Sequence, residues 1–516
     1  MVFGIGVDSG DTFTDAVLLD KDRNEVVETR KVPTTHYDLS EGIFSAIDEV
    51  TKDVDCSEVN QVSVSSTLAT NSIVEGRGGY VGLLMLGWKP ERGEDFPRSR
   101  RAYIPGRFNP RGVEKEPLDE DRVRSTVEGW GSEIEGFAVA GYFSIRNPHH
   151  ENRTRRVLKG MTDKPVVTSH ELSPELGFYE RAVTTVLNVR VIPIITSFVE
   201  STKAALERRG IRAPITVVKS DGSLASVDEI KRKPVETIFS GPAASAIGAR
   251  WLSGRDTGVV VDIGGTTVDI ATLKGGLPDL SGGGAQVGRW QTKVRSMDLR
   301  SVGLGGDSRI RVGEEGGVDI GPSTARPLAF GDFSDREIEV MESHKNTTFV
   351  KRREAPAGTR AQEEGLKDSA RGFYELTDDE LVNESWLLDQ AREHRLIRGS
   401  TYLKELENLG LLTRVGMTPT DLLHVLGEYL AGNTEVPRAA AGVLGEKLGE
   451  EPVRFAQRLK EEFEREIAHE VIKKYVLAEN PGVDFEDNAL WSFCRDNESE
   501  DLDVNFSLKA PIIGIG

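Results

Sequence analysis

One nine-residue pattern occurs twice in this chain. Val7-Asp8-Ser9-Gly10-Asp11-Thr12-Phe13-Thr14-Asp15 lies over Val261-Asp262-Ile263-Gly264-Gly265-Thr266-Thr267-Val268-Asp269 without a gap, at an offset of 254 residues (262 − 8). Val, Asp, Gly, Thr and the final Asp are identical. In each copy an apolar run ends on Asp, the chain turns on Gly and Thr, and a second apolar run follows. That is the layout of strand, tight turn, strand. One such hairpin is ordinary, because Asp, Gly and Thr are common turn residues. Two matching copies call for two units, each carrying one. A length of 516 residues accommodates them, since domains of roughly 100–200 residues give two to four here.

The residue types suggest anion chemistry. Gly lets backbone amides come close to an anion and tolerates positive φ. Thr adds a hydroxyl donor. An Asp at the strand end repels phosphate unless a cation or water lies between them. A hydrated Mg²⁺ held by one or two carboxylates and substrate phosphates supplies that bridge. Two such hairpins facing each other are expected to pinch a polyphosphate between two domains.

Other signatures are missing. No Gly-Lys pair occurs, which removes a P-loop, and there is no G-x-G-x-x-G after a strand, no G-x-S-x-G, no H-E-x-x-H and no C-x-x-C. His149-His150-Glu151 is the one dense histidine cluster, and its place after Pro148 suggests a capping or surface role. Cys56 and Cys494 are too few for a disulfide framework and read as small buried residues. A net charge of −19 argues against non-specific nucleic-acid binding. No apolar run reaches the roughly 18 residues of a membrane span, and no basic-then-apolar leader opens the sequence, so no membrane partner and a cytoplasmic location are expected.

Along the chain, residues 1–35 read as an antiparallel meander, and Leu39, Ile43, Ile47 and Val50 as a helical stripe. Residues 62–67 read as a strand entering a loop, 80–86 and 136–143 as buried strands, and 88–118 as an exposed Arg/Pro/Gly-rich excursion. A helix is expected from Glu151 to Met161, and a long one over 180–210 capped by Gly210. Small residues make a helix of 240–252, and 298–312 forms a glycine loop between strands. The domain reading is a first domain over 1–180, a second over 181–330, a charged linker or insertion over 331–375, a helical region over 376–480, and a return to the second domain over 481–516. That last segment ends in the strand-like APIIGIG, where the pattern looks cut short.

The doubled hairpin resembles the actin, sugar-kinase and Hsp70 ATPase superfamily. That likeness implies an α/β fold of two RNase-H-like domains facing a nucleotide cleft, here with an added helical region near the C-terminus. Within it, GVDSGDTFTDAVLLD, SSTLATNSIVEGRG, HELSPELGFYERAVTTVLN, SGPAASAIGA, VVVDIGGTTVDIA, RSMDLRSVGLGGDS and APIIGIG follow the order seen in the hydantoinase/oxoprolinase family, A-type subunit. The likeness covers about residues 2–325 and weakens from 331 to 508.

The resemblance implies ATP and Mg²⁺. It places Asp8 and Asp262 at the metal and the catalytic water, and Asn71 near the chemistry. Gly10, Asp11, Thr12, Gly264, Gly265, Thr266, Thr267, Gly305 and Gly306 fall at the nucleotide. Thr70, Glu75, Arg77, Glu180 and Arg181 fall on the substrate side, where the plain alternative is a structural role, such as a Glu180–Arg181 pair on a helix face. Asp11 stands where the family usually has Gly, adding a carboxylate beside phosphate. The family also continues past APIIGIG, so adenine recognition is expected to be incomplete here or completed by a second polypeptide.

The function implied is ATP-dependent opening of a cyclic amide, such as a hydantoin or 5-oxoproline, with a B-type (hydantoinase B-like) partner subunit and a small carbonyl or cyclic-amide substrate. The alternatives are an ATP-dependent carboxylase β-type subunit and a regulatory actin-like ATPase. A homo-oligomer is compatible with all three.

Overall fold

The computed structural model describes every residue except 11–12, 35–38, 90–94, 314–315, 332, 353–365, 367, 378–380, 397, 409–410, 481, 486–490, 492–507 and 516. The chain divides into two compact units, residues 1–257 with 271–299, and residues 258–270 with 300–516.

The first unit opens with the meander. Alternating burial along β1 (Phe3–Ser9) and β2 (Phe13–Asp20) sends one face of each into the core, and β3 (Glu25–Pro33) continues the antiparallel ladder. Helix α1 (Leu39–Thr51) buries Ile43, Ile47 and Val50. β4 (Val59–Ser66) pairs parallel with β1. There follow α2 (Leu68–Val74), β5 (Val81–Leu86), β6 (Ser99–Ile104), β7 (Gly136–Gly141), α3 (His149–Lys159), β8 (Val166–Thr168), α4 (Phe178–Arg209), β9 (Ile215–Val218), β10 (Leu224–Ser226) and α5 (Ser240–Ser253). They make two sheets. One is mixed, in the order β10-β9-β4-β1-β2-β3, and the other, β8-β7-β5-β6, is wholly parallel.

Helix α4 belongs with strands of both sheets to one apolar cluster, joining Val183, Val186 and Leu187 to Ile5, Val7 and Val62 on one side and Leu83 and Ala138 on the other. An all-round apolar helix needs such burial. It is long and apolar enough to cross a membrane, yet 72 % of that stretch is buried in the protein, which marks it as a core helix. Residues 180 and 181, between which the sequence suggested a domain boundary, lie in its first turn. Gly210 ends it at φ 79°, the left-handed cap expected.

Three local expectations are corrected. The loop after residue 67 contains α2. The excursion 88–118 contains β6, which extends the parallel sheet beside β5, with Phe96, Ile104 and Phe108 buried. His150 and Glu151 are buried rather than at the surface. They can be, because Glu114 takes His150 Nε2 at 2.6 Å, while Glu151 accepts from the Gly141 amide and the Ser169 hydroxyl, each at 2.6 Å. Cys56 is half-buried, and Cys494 lies outside the described residues.

The second unit holds the other hairpin, β11 (Gly258–Ile263) and β12 (Val268–Lys274), whose last residues pass into the first unit. The chain then forms β13 (Ser308–Val312), β14 (Val318–Thr324), α6 (Asp335–His344), β15 (Phe349–Arg352), α7 (Asp368–Glu375), α8 (Glu384–Glu393), α9 (Gly399–Asn408), β16 (Leu412–Gly416), α10 (Pro419–Leu426), α11 (Glu435–Glu446), α12 (Pro452–Glu479) and β17 (Ile512–Ile515). The APIIGIG strand does form: β17 lies parallel to β11, with Val261 opposite Gly514 and Asp262 opposite Ile515. Val259, Val261, Val268 and Ile270 share a small core with Val471 of α12. A larger core joins Ile310, Met341, Phe349, Val415, Leu422, Val436 and Phe455. Parts of 331–375 are therefore built into the fold, with Met341, Phe349 and Val350 fully buried. Charge on the exposed faces hid this.

Candidate functional site

Asp8 lies one residue before the end of β1, opposite Asp15 of β2 and level with Ser65 of β4. The Ser65 hydroxyl donates to Asp8 Oδ1 at 2.6 Å, which fixes the orientation of the carboxylate. The Gly10 amide closes the turn on the Phe13 carbonyl at 2.9 Å, and Thr34 donates its hydroxyl to the Gly10 carbonyl at 3.0 Å. A Cβ on Gly10 would sit 2.9 Å from the same Phe13 oxygen, so close approach is what demands glycine here. Asp11 and Thr12 lie outside the described residues.

Helix α5 starts beside Asp8. The Ser240 hydroxyl accepts from the Ser66 amide at 3.1 Å and donates to the Ser66 carbonyl at 3.0 Å. A Cβ on Gly241 would lie 3.7 Å from Asp8 Oδ1. The partial positive charge of a helix N-terminus is thereby brought to a carboxylate. Phe239, just before the helix, takes φ 59°, a conformation costly for a bulky residue. Its amide donates to Thr70 Oγ1 at 3.0 Å, so Thr70 is committed to holding this junction.

Asn71 lies inside α2, where its side-chain amide donates to Thr67 Oγ1 at 3.3 Å. Glu75 and Arg77 form an ion pair just beyond that helix, both largely exposed. Glu180 is half-buried in the first turn of α4. Arg181 is only 2 % exposed. Its guanidinium donates to the carbonyls of Gly141 at 2.9 Å and Glu175 at 3.1 Å, and burial lowers its pKa. Arg181 ties the end of β7 to α4 instead of forming a surface pair with Glu180.

The second hairpin has heavier backing. The Gly264 amide closes its turn on the Thr267 carbonyl at 2.9 Å. The glycine loop at 303–307 lies directly behind. The Gly306 amide donates to the Gly264 carbonyl at 2.9 Å, and the Asp307 amide to the Gly265 carbonyl at 2.7 Å. The Gly305 amide goes to Ser308 Oγ at 2.8 Å. A Cβ on Gly305 would collide with the Gly264 and Gly265 carbonyl oxygens, so only glycine fits. The amides of Gly10, Gly264, Gly305 and Gly306 are thus spent inside the protein. Gly264, Gly265 and Thr266 are exposed and Thr267 half-buried, which makes Gly265 to Thr267 the part of the turn presented to solvent.

The carboxylates here are unusual. Burial pushes Asp269 up to about 6, and the charge of Asp262 adds to the rise against a hydrogen bond from Ser301. Asp269 Oδ1 is buried without a hydrogen-bond partner. Burial also raises Asp307, whose side chain lies against Gly265. Among the described residues no group of three or more His, Cys, Asp or Glu is arranged to hold a metal. A coupled carboxylate pair beside exposed turn donors nevertheless fits Mg²⁺, which takes one or two carboxylates and fills its shell with water and phosphate oxygens.

Ser65, Asp269, Asp307 and Thr420, whose hydroxyl donates to the Gly306 carbonyl at 2.8 Å, escaped the sequence reading as site residues. Asp269 had a visible signal, the fifth identity of the repeat. The other three are set by tertiary pairing, without a motif of their own.

Models of the hydantoinase/oxoprolinase N-terminal region and of hydantoinase/oxoprolinase match residues 4–162 and 181–329. Caprolactamase subunit alpha of Pseudomonas jessenii is 28 % identical over 366 residues, covering 64 % of this chain and 52 % of that protein. The acetophenone carboxylase gamma subunit of Aromatoleum aromaticum is 28 % identical over 366 residues, covering 62 % and 49 %. Among solved structures, the ATP-dependent caprolactamase of Pseudomonas jessenii aligns with TM-score 0.60 at 22 % identity, covering 91 % of this chain and 63 % of that one. A nucleotide-free acetone carboxylase aligns with TM-score 0.59 at 18 % identity, covering 93 % and 63 %. These two likenesses establish a shared fold. The chain spans about half the length of the curated relatives it matches.

Proposed function

Because the chain belongs to the hydantoinase/oxoprolinase family, we propose that it is the ATP-using subunit of a hydrolase that opens a cyclic amide of hydantoin or 5-oxoproline type. The observation that carries this reading is the second hairpin, an exposed Gly265-Thr266-Thr267 turn braced from behind by Gly305 to Asp307, with Asp262 and Asp269 coupled beside it. A relative named as a caprolactamase subunit, from an enzyme described as ATP-dependent, supports the substrate class.

Amide resonance makes a ring carbonyl a poor electrophile. Transfer of the γ-phosphoryl group to the carbonyl oxygen removes that resonance. Water then adds to the carbon, the ring nitrogen leaves as it takes up a proton, and hydrolysis of the resulting acyl phosphate releases the carboxylate and inorganic phosphate. On this chain, Gly265, Thr266 and Thr267 donate to phosphate oxygens. Asp262 orients water near the transferred group, and Asp269, ionised at neutral pH, shares that task. Asp262 and Asp269 would hold Mg²⁺ with its water, and the ion would supply charge neutralisation. Positioning, more than covalent chemistry, is the protein's contribution. A B-type partner subunit completes the enzyme, as suggested by relatives that are named as subunits.

A carboxylase reading has its own support, since the acetophenone carboxylase subunit is as similar as the caprolactamase subunit. ADP release, measured with Mg-ATP and either 5-oxoproline, hydantoin, or a ketone with bicarbonate, separates the two. Stimulation by a cyclic amide is expected. Stimulation by the ketone alone transfers the assignment to the carboxylase, and no ATP binding at millimolar Mg-ATP, with or without a co-expressed partner, removes both.

A further inference from the structure

We propose that Thr420, at the start of α10, is a positioning residue that aims the phosphate-binding turn of the second hairpin through a relay of peptide groups. The proposal rests on the nucleotide reading of that turn. Thr420 lies outside the segments matched by the family models, which end at residue 329.

The relay follows from peptide geometry. The Gly306 carbonyl receives two donors from this one residue, the Thr420 amide at 3.1 Å and the Thr420 hydroxyl at 2.8 Å. The Gly306 carbonyl and the Asp307 amide belong to one planar trans peptide, so they point in opposite directions. Holding the carbonyl on α10 aims the Asp307 N–H at the Gly265 carbonyl, which it meets at 2.7 Å. That carbonyl in turn shares a peptide with the Thr266 amide. The same rule sends the Thr266 N–H away from the loop, towards the exposed side of the turn. Three polar groups in line, Thr420, the 306–307 peptide and the 265–266 peptide, polarise one another. A parallel bond from the Gly306 amide to the Gly264 carbonyl at 2.9 Å orients the Gly265 amide likewise.

Thr420 is itself firmly held. The fully buried Asp421 carboxylate accepts from the amides of Leu328 at 3.0 Å, Ala329 at 2.9 Å and Thr418 at 3.0 Å. His424 Nδ1 meets the Thr420 carbonyl at 2.8 Å. The anchor is rigid and the turn is exposed, so orientation is transmitted outward.

Thr420→Val removes the hydroxyl and keeps the shape, and Thr420→Ser restores the hydroxyl. With the full chain, Mg-ATP affinity is expected to fall about fivefold in Thr420→Val and recover in Thr420→Ser, with the melting temperature little changed. Amide exchange at Asp307 and Thr266, measured without nucleotide, is expected to quicken in Thr420→Val and return to the wild-type rate in Thr420→Ser. Unchanged exchange overturns the relay, whatever the nucleotide does. Wild-type protein that binds no Mg-ATP overturns the nucleotide reading and leaves the exchange result to decide the relay. Should Thr420→Val not fold, Gly306→Ala tests the same contact, since its methyl would sit 2.9 Å from the Thr420 hydroxyl.

Discussion

The two hairpins share five of nine residues yet are supported in different ways. The first is part of a six-stranded sheet, and its Asp8 is steadied by Ser65 on the adjacent parallel strand. Its support comes from neighbouring strands and the start of α5. The second is propped from behind by Gly305 to Asp307 and, beyond them, by α10. The first turn is braced by side chains around its Asp and by one amide, that of Thr67, on the Ser9 carbonyl. The second is braced mainly through its peptide groups, and burial raises the carboxyls of Asp269 and Asp307 beside it. A local motif sets the turn; what stands behind it sets how sharply the turn is aimed.

That contrast can be broken most severely at Asp421. Asp421→Ala leaves three buried amides without an acceptor, which costs on the order of 3 kcal/mol or more. The second unit should lose exchange protection, while the first retains its own. Loss of protection in both alike contradicts separate bracing.

Gly305→Ala is the next largest. Its methyl collides with the backbone of the turn, and Mg-ATP affinity should drop at least tenfold. Because the contacts are to carbonyl oxygens, no side chain can swing aside to relieve them. Titration calorimetry checks this.

A smaller effect concerns pH. Asp269 is held at about 6 against an ordinary 3.8. The unfolded chain therefore releases this proton first as pH rises. The group's stabilisation is fully present below about pH 4 and is lost as pH climbs through about 6, an upper bound of about 3 kcal/mol. Asp421, pushed up to about 6 by its burial, contributes a slope of the same sign. Asp269→Asn should flatten the stability profile between pH 4 and 6 by its own share, read by denaturant titration. An unaltered slope would show that Asp269 has no shifted proton.

Much of the fold was legible because its patterns are local. The meander, the stripe on α1, the buried strands β5 and β7, the cap at Gly210 and the strand β17 all follow from periodicity and turn residues. Helix α2 was not legible, since its Thr and Asn also suit a loop. β6 hid behind Arg-rich sequence because it is only half-buried. Residues 331–375 hid because Met341 and the Phe349-Val350 pair are short apolar islands among charged and polar residues. At the site, the Gly turns and their Asp residues could be read from the repeat, but the contact between Thr420 and Gly306 joins residues 114 apart and has no signature. His150 and Glu151 misled for the opposite reason, as polar side chains become core residues where neighbours meet them with hydrogen bonds, here Glu114 at His150 Nε2 and the Gly141 amide and Ser169 hydroxyl at Glu151.

Mg-ATP binding by the full chain, compared between wild type and Asp262→Asn, tests the central claim most directly. Saturable binding at millimolar Mg-ATP or below is predicted for the wild type, weakened at least tenfold in Asp262→Asn at unchanged melting temperature. Equal binding by the two proteins, or no binding by the wild type, would contradict it.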